Sequence, residues 1–316
     1  ILCYCAVNCY ALISGYVGVN SKHKYSNIAI LWLRVLFYSV IICIIFKICL
    51  PDTVNTKNLF ASFFPVLTNQ YWYFSAYFLL FLIIPILNSA LNNLSKKQLQ
   101  VILISVVFIN SIFMPFFQNV FLDTAFKLNS GYSTIWLMFL YLIGGYIKKY
   151  GFLEKLKKIW LFLIYISACL LTLLSKYLMP IITKKLLGSS KYQDMWISYI
   201  SITIVVSSIA LLLLFERIDF KSSFSKKIVT FFSPLAFSVY IIHMQPCFYD
   251  YFVKTKFKQI ADLPLWQGVL LLFALAIGFF IAFSLIDTIR HYLFIGLKIK
   301  PRLESLENKI KQKIKD

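Results

Sequence analysis

Acidic residues are scarce in this chain, and so are polar stretches long enough to be a soluble domain. Asp and Glu number 12 against 32 Lys and Arg, and charged residues make up only 14% of 316 positions. The Gly-x-Ser-x-Gly elbow, the phosphate loop, the dinucleotide fingerprint and the His-Glu-x-x-His motif are all missing, which excludes the soluble enzymes that depend on them. No solenoid-period repeat and no low-complexity block interrupts the sequence. Seven cysteines, Cys3, Cys5, Cys9, Cys43, Cys49, Cys169 and Cys247, lie in or at the edge of apolar segments. No His or acidic residue near Cys3, Cys5 and Cys9 completes a ligand set, so neither a metal site nor a disulfide framework is implied. The chain opens on Ile1 without a charged leader and reads as a fragment that lacks its beginning.

What is present is apolar. Hydrophobic residues make up 60% and aromatics 18%, and the mean hydropathy is +0.78, well outside the averages of soluble domains. The fold class expected is all-α, a polytopic membrane helix bundle. Nine spans are expected at about 1–18, 28–50, 71–91, 100–117, 132–147, 159–179, 195–215, 231–250 and 265–288. A charge of +20 would point to nucleic acid in a soluble protein, but here the basic residues sit in short loops between spans. The expected partners therefore include membrane lipids and no nucleic acid.

Loops 19–27, 92–99, 148–158 and 216–230, with the tail from 289, carry 21 Lys and Arg; the alternate loops 51–70, 118–131, 180–194 and 251–264 carry 8. By the positive-inside rule the basic set and the C-terminus belong in the cytoplasm of a multi-pass protein of the cell membrane. Ile1 would then start outside, and one more span upstream would put both termini inside. One domain is expected over 1–290. Residues 291–316 follow as a basic amphipathic tail with Leu303, Leu306 and Ile310 at helical spacing, suited to the anionic inner leaflet.

Few residues inside the spans can carry chemistry. His243 stands in the apolar run Phe231 to Asp250, twelve residues from its start, roughly 18 Å into a hydrocarbon core about 30 Å thick. An ionisable group there marks a functional site or an imidazole hydrogen-bonded to a neighbouring helix. Tyr240 lies three residues before it and shares its face, whereas Gln245 lies off that line. Arg34 is either a snorkelling anchor or a ligand contact. Asp287, Arg290 and His291, like Glu216, Arg217 and Asp219, cluster at span ends and read first as interfacial pairs. Lys47 and Lys176 read as snorkelling. Tyr71, Trp72, Tyr73 and Phe74 open the third span as an aromatic belt, or as a surface for stacking a sugar.

At these residues the chain resembles the integral membrane acyltransferase 3 family, whose members modify bacterial surface polysaccharides and other acceptors. Asn8 to Tyr16 (NCYALISGY) looks like the family's Ser-Gly-Tyr/Phe ending of the second helix. Tyr71 to Asn88 resembles its Tyr-Trp-Phe opening and Pro-x-Leu-Asn close, and Tyr141 to Tyr150 (YLIGGYIKKY) and Ser238 to Pro246 (SVYIIHMQP) are similar to two later signatures. The resemblance implies ten spans in a full-length member, with a first helix that carries an Arg and a His ten residues apart, the His as the proposed base. That helix does not precede the matching segments here. The Arg-x-x-Arg that opens the family's third helix stands as Leu31-Trp32-Leu33-Arg34, with only the second Arg kept.

The resemblance therefore implies an O-acyltransferase that moves an acyl group, acetyl first among them, from a cytoplasmic acyl-CoA-type donor to a hydroxyl of a polysaccharide or lipid-linked glycan outside, with no bound cofactor. Arg34 would hold a donor phosphate and His243 would assist the base. Tyr71, Trp72 and Tyr240 would line the acceptor cavity. The alternatives are a non-catalytic or transporting component of polysaccharide export, which discontinuous helices and an inverted repeat would favour, or an inactive remnant.

Overall fold

A computed structural model describes residues 1–115, 117, 128–188, 193–219 and 221–315. Among them every regular element is a helix. In chain order the longer ones are α1 (Ala6–Gly18), α2 (Tyr25–Cys49), α3 (Thr56–Ser62), α4 (Trp72–Asn93), α5 (Lys96–Phe108), α6 (Thr134–Tyr150), α7 (Lys158–Leu187), α8 (Ile202–Glu216), α9 (Ser223–Phe232), α10 (Ala236–His243), α11 (Leu265–Gly296) and α12 (Ile299–Lys315).

Among the described residues six stretches are long and apolar enough to cross a membrane: α2, α4, α5 with its continuation to Phe113, α7, the α9 and α10 pair, and α11. The other three expected spans are helices of 13, 17 and 15 residues, namely α1, α6 and α8. Helix lengths therefore do not carry the count of nine. Local chemistry shortens the latter two. Ser133 caps the start of α6, accepting a hydrogen bond from Trp136 N–H, and Gly151 at φ 70° ends it. Before α8, the hydroxyls of Ser198 and Ser201 bond each other at 2.8 Å in a turn. Loop 118–131 lies outside the described residues over its first ten positions.

The chain divides into two compact units, one of Ile1–His23 with Ala76–Asp219, the other of Lys24–Ser75 with Phe220–Asp316. In the first, α1 and α6 meet through bare backbone. A Cβ on Gly15 would stand 1.9 Å from the carbonyl oxygen of Tyr141, and one on Gly144 would stand 2.0 Å from that of Leu12. Small residues let helix backbones approach where no hydrophobic effect presses them together. Polar groups lock the seam: Tyr141 OH donates to Asn88 Oδ1 at 2.8 Å, and Asn88 Nδ2 donates to the Gly18 carbonyl at 3.2 Å. Asn8 is bonded on both sides, to the Tyr199 carbonyl and to Trp136 Nε1. At the end of this unit Tyr16 donates to Glu216, and Arg217 donates to the carbonyls of Leu153 and Leu156.

The second unit is built around α2 and α11. Asp287 and Arg290 of α11 form a bidentate pair at 2.7 and 2.6 Å, and Tyr38 of α2 donates to the same carboxylate at 2.8 Å. These two charges are 0% and 2% exposed, so the pair expected at an interface is enclosed by protein. Lys47, expected to snorkel, instead donates to the Val54 carbonyl at 2.9 Å. The expected single span 231–250 is a broken one. Pro234, which has no N–H to give, sits in a turn between α9 and α10, and the helix stops again after His243, where Gln245 caps the short turn from Pro246. Helix α11 runs on to Gly296, past the boundary expected at 290, before α12 begins.

Candidate functional site

Ten residues into α2, Arg34 is 9% exposed, too enclosed for a snorkelling anchor. Its Nη1 donates to the carbonyl of Pro234 at 2.9 Å, an acceptor released by the break between α9 and α10. The guanidinium lies 5.9 Å over the Phe237 ring, and its buried Nε has no hydrogen-bond partner. The nearby carboxylate of Asp287 is already filled by Tyr38 and Arg290. Arg34 is thus a buried cation without a carboxylate of its own, a state that costs several kcal/mol unless an anion completes it.

Arg34 opens onto a cavity of about 620 Å³ that belongs wholly to the second unit, a size typical of small-molecule sites. Asn27, Ile30 and Leu31 line it from α2, Pro234 from the break, Arg290, His291, Phe294 and Ile295 from α11, and Ile299, Lys300 and Pro301 from α12. Arg34, Arg290 and Lys300 are cationic and His291 is titratable, while the wall between them is apolar. Such a lining suits a ligand with phosphate groups and an apolar or planar portion.

The other candidate residues gather along α10. Pro234, Phe237, Tyr240 and His243 recur every three residues, and the contacts follow that line: Phe237 to Tyr240 at 6.2 Å and Tyr240 to His243 at 6.1 Å between ring centroids. Tyr71 and Tyr73 stand edge-on to Tyr240 at 6.2 and 6.4 Å, and Trp72 is edge-on to Tyr73 at 5.6 Å. Tyr71 and Phe74 are each 1% exposed, so they form an internal cluster and not a lipid-facing belt. His243 ends α10 instead of standing midway along a straight helix. Its Nδ1 lies 2.7 Å from the Val239 carbonyl. A carbonyl only accepts, so Nδ1 carries the proton and Nε2 keeps its lone pair, the form that takes a proton. Gln245, off the line, instead donates to the Ser39 carbonyl at 3.5 Å.

The profile of the acyltransferase domain matches residues 1–286. The chain belongs to the acyltransferase 3 family. No curated protein and no solved structure matches it. Within this acyltransferase, the resembling segments Asn8 to Tyr16 and Tyr141 to Tyr150 are a packing seam: Gly15 and Gly144 make the close approach, and Asn88, from the segment Tyr71 to Asn88, bonds to both helices. The fourth, Ser238 to Pro246, carries Tyr240 and His243. Sequence reasoning missed Asn27, Pro234, Phe237 and Lys300. The three-residue spacing back from His243 was a visible signal for Pro234 and Phe237; nothing local marked Lys300, which reaches the cavity only through the turn after α11.

Proposed function

We propose that this acyltransferase moves an acyl group, acetyl first among them, from a cytoplasmic acyl-CoA-type donor to a hydroxyl of a surface or extracellular polysaccharide. The observation that supports this most is the unpaired, buried Arg34 at a basic cavity of about 620 Å³. Donor phosphates would meet Arg34 and Arg290, and the acyl thioester would extend along the line from Pro234 to His243, about 13 Å at helical rise. Tyr71, Trp72 and Tyr240 would present aromatic faces to the acceptor sugar. The acceptor hydroxyl attacks the thioester carbonyl; the C–O bond forms, the C–S bond breaks, and the hydroxyl proton passes by way of His243 Nε2 to the leaving thiolate. His243 serves as an assisting base in this reading.

Topology belongs to the same proposal. Nine crossings place the 21 basic residues on one side and 8 on the other, so α1, α6 and α8 cross as short helices within a locally thinned bilayer. The cavity then opens to the cytoplasm, where the donor is.

Arg34→Ala is the test. Loss of a charge-assisted contact to phosphate lowers donor affinity about ten- to a hundredfold and leaves acceptor affinity unchanged. Wild-type donor binding by this variant would reduce Arg34 to a packing residue. A second reading, a transport path for the glycan, is favoured by one observation, the discontinuous α9 and α10. It requires glycan movement without acyl donor, so export that persists when donor binding is abolished would select it.

A further inference from the structure

The matched acyltransferase region ends at residue 286, yet more than half of the cavity's lining residues come after it. Helix α12 supplies the outermost of these, Ile299, Lys300 and Pro301. It is held by an unusual cap. The N-cap of α2, Lys24, offers no side-chain hydrogen bond, and the open N–H groups of Tyr25 and Ser26 are met instead by Glu307, at 3.1 and 2.9 Å. Glu307 also receives Lys311 at 2.5 Å, and Glu304 pairs with Lys24 at 3.1 Å. A carboxylate on a helix N-terminus satisfies orphan donors and the positive end of the helix dipole together. The helix so capped is the one that carries Arg34.

We propose that α12 is a wall of the anion site: Lys300 is a further phosphate contact beside Arg34 and Arg290, and Glu307 is the positioning residue that holds it there, so the site takes a ligand with two linked phosphate groups. This rests on the cavity being the donor site only for the ligand's identity. The contacts themselves stand without it. Lys300 is exposed and makes no ion pair among the described residues, so it is free to turn toward an incoming phosphate. Two linked phosphates are met by cationic side chains from α2, α11 and α12 better than by Arg34 and Arg290 alone. A phospholipid headgroup offers the same chemistry with one phosphate, buried at the bilayer surface.

The test uses the full chain in discs of neutral phosphatidylcholine, with coenzyme A and inorganic pyrophosphate as probes. Lys300→Gln and Glu307→Gln are each expected to weaken both probes about fivefold, as a partly exposed charge contact does. The double variant should be no weaker than Glu307→Gln alone, because the glutamate acts through the lysine; Glu307→Asp should restore part of the loss. Wild-type affinity in both single variants overturns the proposal. If Arg34→Ala still weakens coenzyme A in that case, the donor reading survives without it. Conversely, pyrophosphate binding that depends on Lys300, with no binding of coenzyme A, upholds the two-phosphate site and removes the donor reading. Added phosphatidylglycerol that displaces pyrophosphate from the wild type but not from Lys300→Gln overturns the two-phosphate ligand and names a lipid headgroup, with its one phosphate, as the occupant.

Discussion

His243 shows how one hydrogen bond sets the tautomer of a single side chain. Its Nδ1 proton is committed to the Val239 carbonyl at 2.7 Å, which leaves Nε2 as the lone basic nitrogen of the cluster around Tyr240. His243→Gln keeps the size and an N–H for Val239 while removing the titrating base. Normal amounts of protein in the membrane with glycan acylation lowered about 10²-fold are expected if the imidazole takes part in proton transfer. Full acylation by the well-expressed variant would make His243 structural. The apolar run alone made this histidine visible in the sequence. Its place at the end of a helix was not legible, because the break at Pro234 and the stop after His243 depend on which carbonyls find partners elsewhere. The Pro234 carbonyl finds Arg34, some 200 residues earlier.

At the scale of the element, two kinds of contact carry the units, and they respond to different perturbations. The seam between α1 and α6 is steric. Gly144→Ala puts a Cβ 2.0 Å from the Leu12 carbonyl oxygen, while Gly278 in α11 has nothing within 4 Å. Gly144→Ala should therefore lower the thermal midpoint of the solubilised protein by several degrees, whereas Gly278→Ala should leave it unchanged; equal midpoints would show that the backbones part freely. The dock of α12 is electrostatic. Burial alone would raise the Glu307 carboxyl, but Lys311 and the N–H groups of Ser26 and Tyr25 outweigh it and bring the pKa down to about 2 from 4.5. A lowered pKa means that the ionised form is the one the fold prefers. Its contribution is complete above pH 4.5 and fades as pH falls toward 2. A nitroxide on exposed Ser305 should stay immobile from pH 7 to about 4.5 and loosen only below that. Loosening near pH 6 would assign the dock to other groups. The tail read as an amphipathic helix along the inner leaflet, because the partners of Glu307 lie about 280 positions away; Leu306 and Ile310 of its apolar face remain exposed.

For the whole molecule, the membrane character was legible from composition, and so was the place of each long helix, since an apolar run in lipid has no stable form but the helix. Four spans differ: that of α9 and α10 is broken at Pro234, and α1, α6 and α8 are short, α6 with its ends set by Ser133 and Gly151, which hydropathy does not register. Their short lengths turn the crossing number into a question of charge. If all nine helical segments cross, loops 148–158 and 216–230 share a side with the C-terminal tail, and loop 251–264 lies opposite. If α1, α6 and α8 stay within one leaflet, the strict alternation of basic loops has no cause. Cysteine labelling of intact cells separates the cases. Cys3 and Cys49 are the exposed natural thiols, so both are first replaced by Ser, and single cysteines are then placed in each of the three loops. A membrane-impermeant maleimide should modify a cysteine in 251–264 and spare those in 148–158 and 216–230 until the cells are opened. Modification of either basic loop from outside would invert the topology and turn the Arg34 cavity away from any cytoplasmic donor.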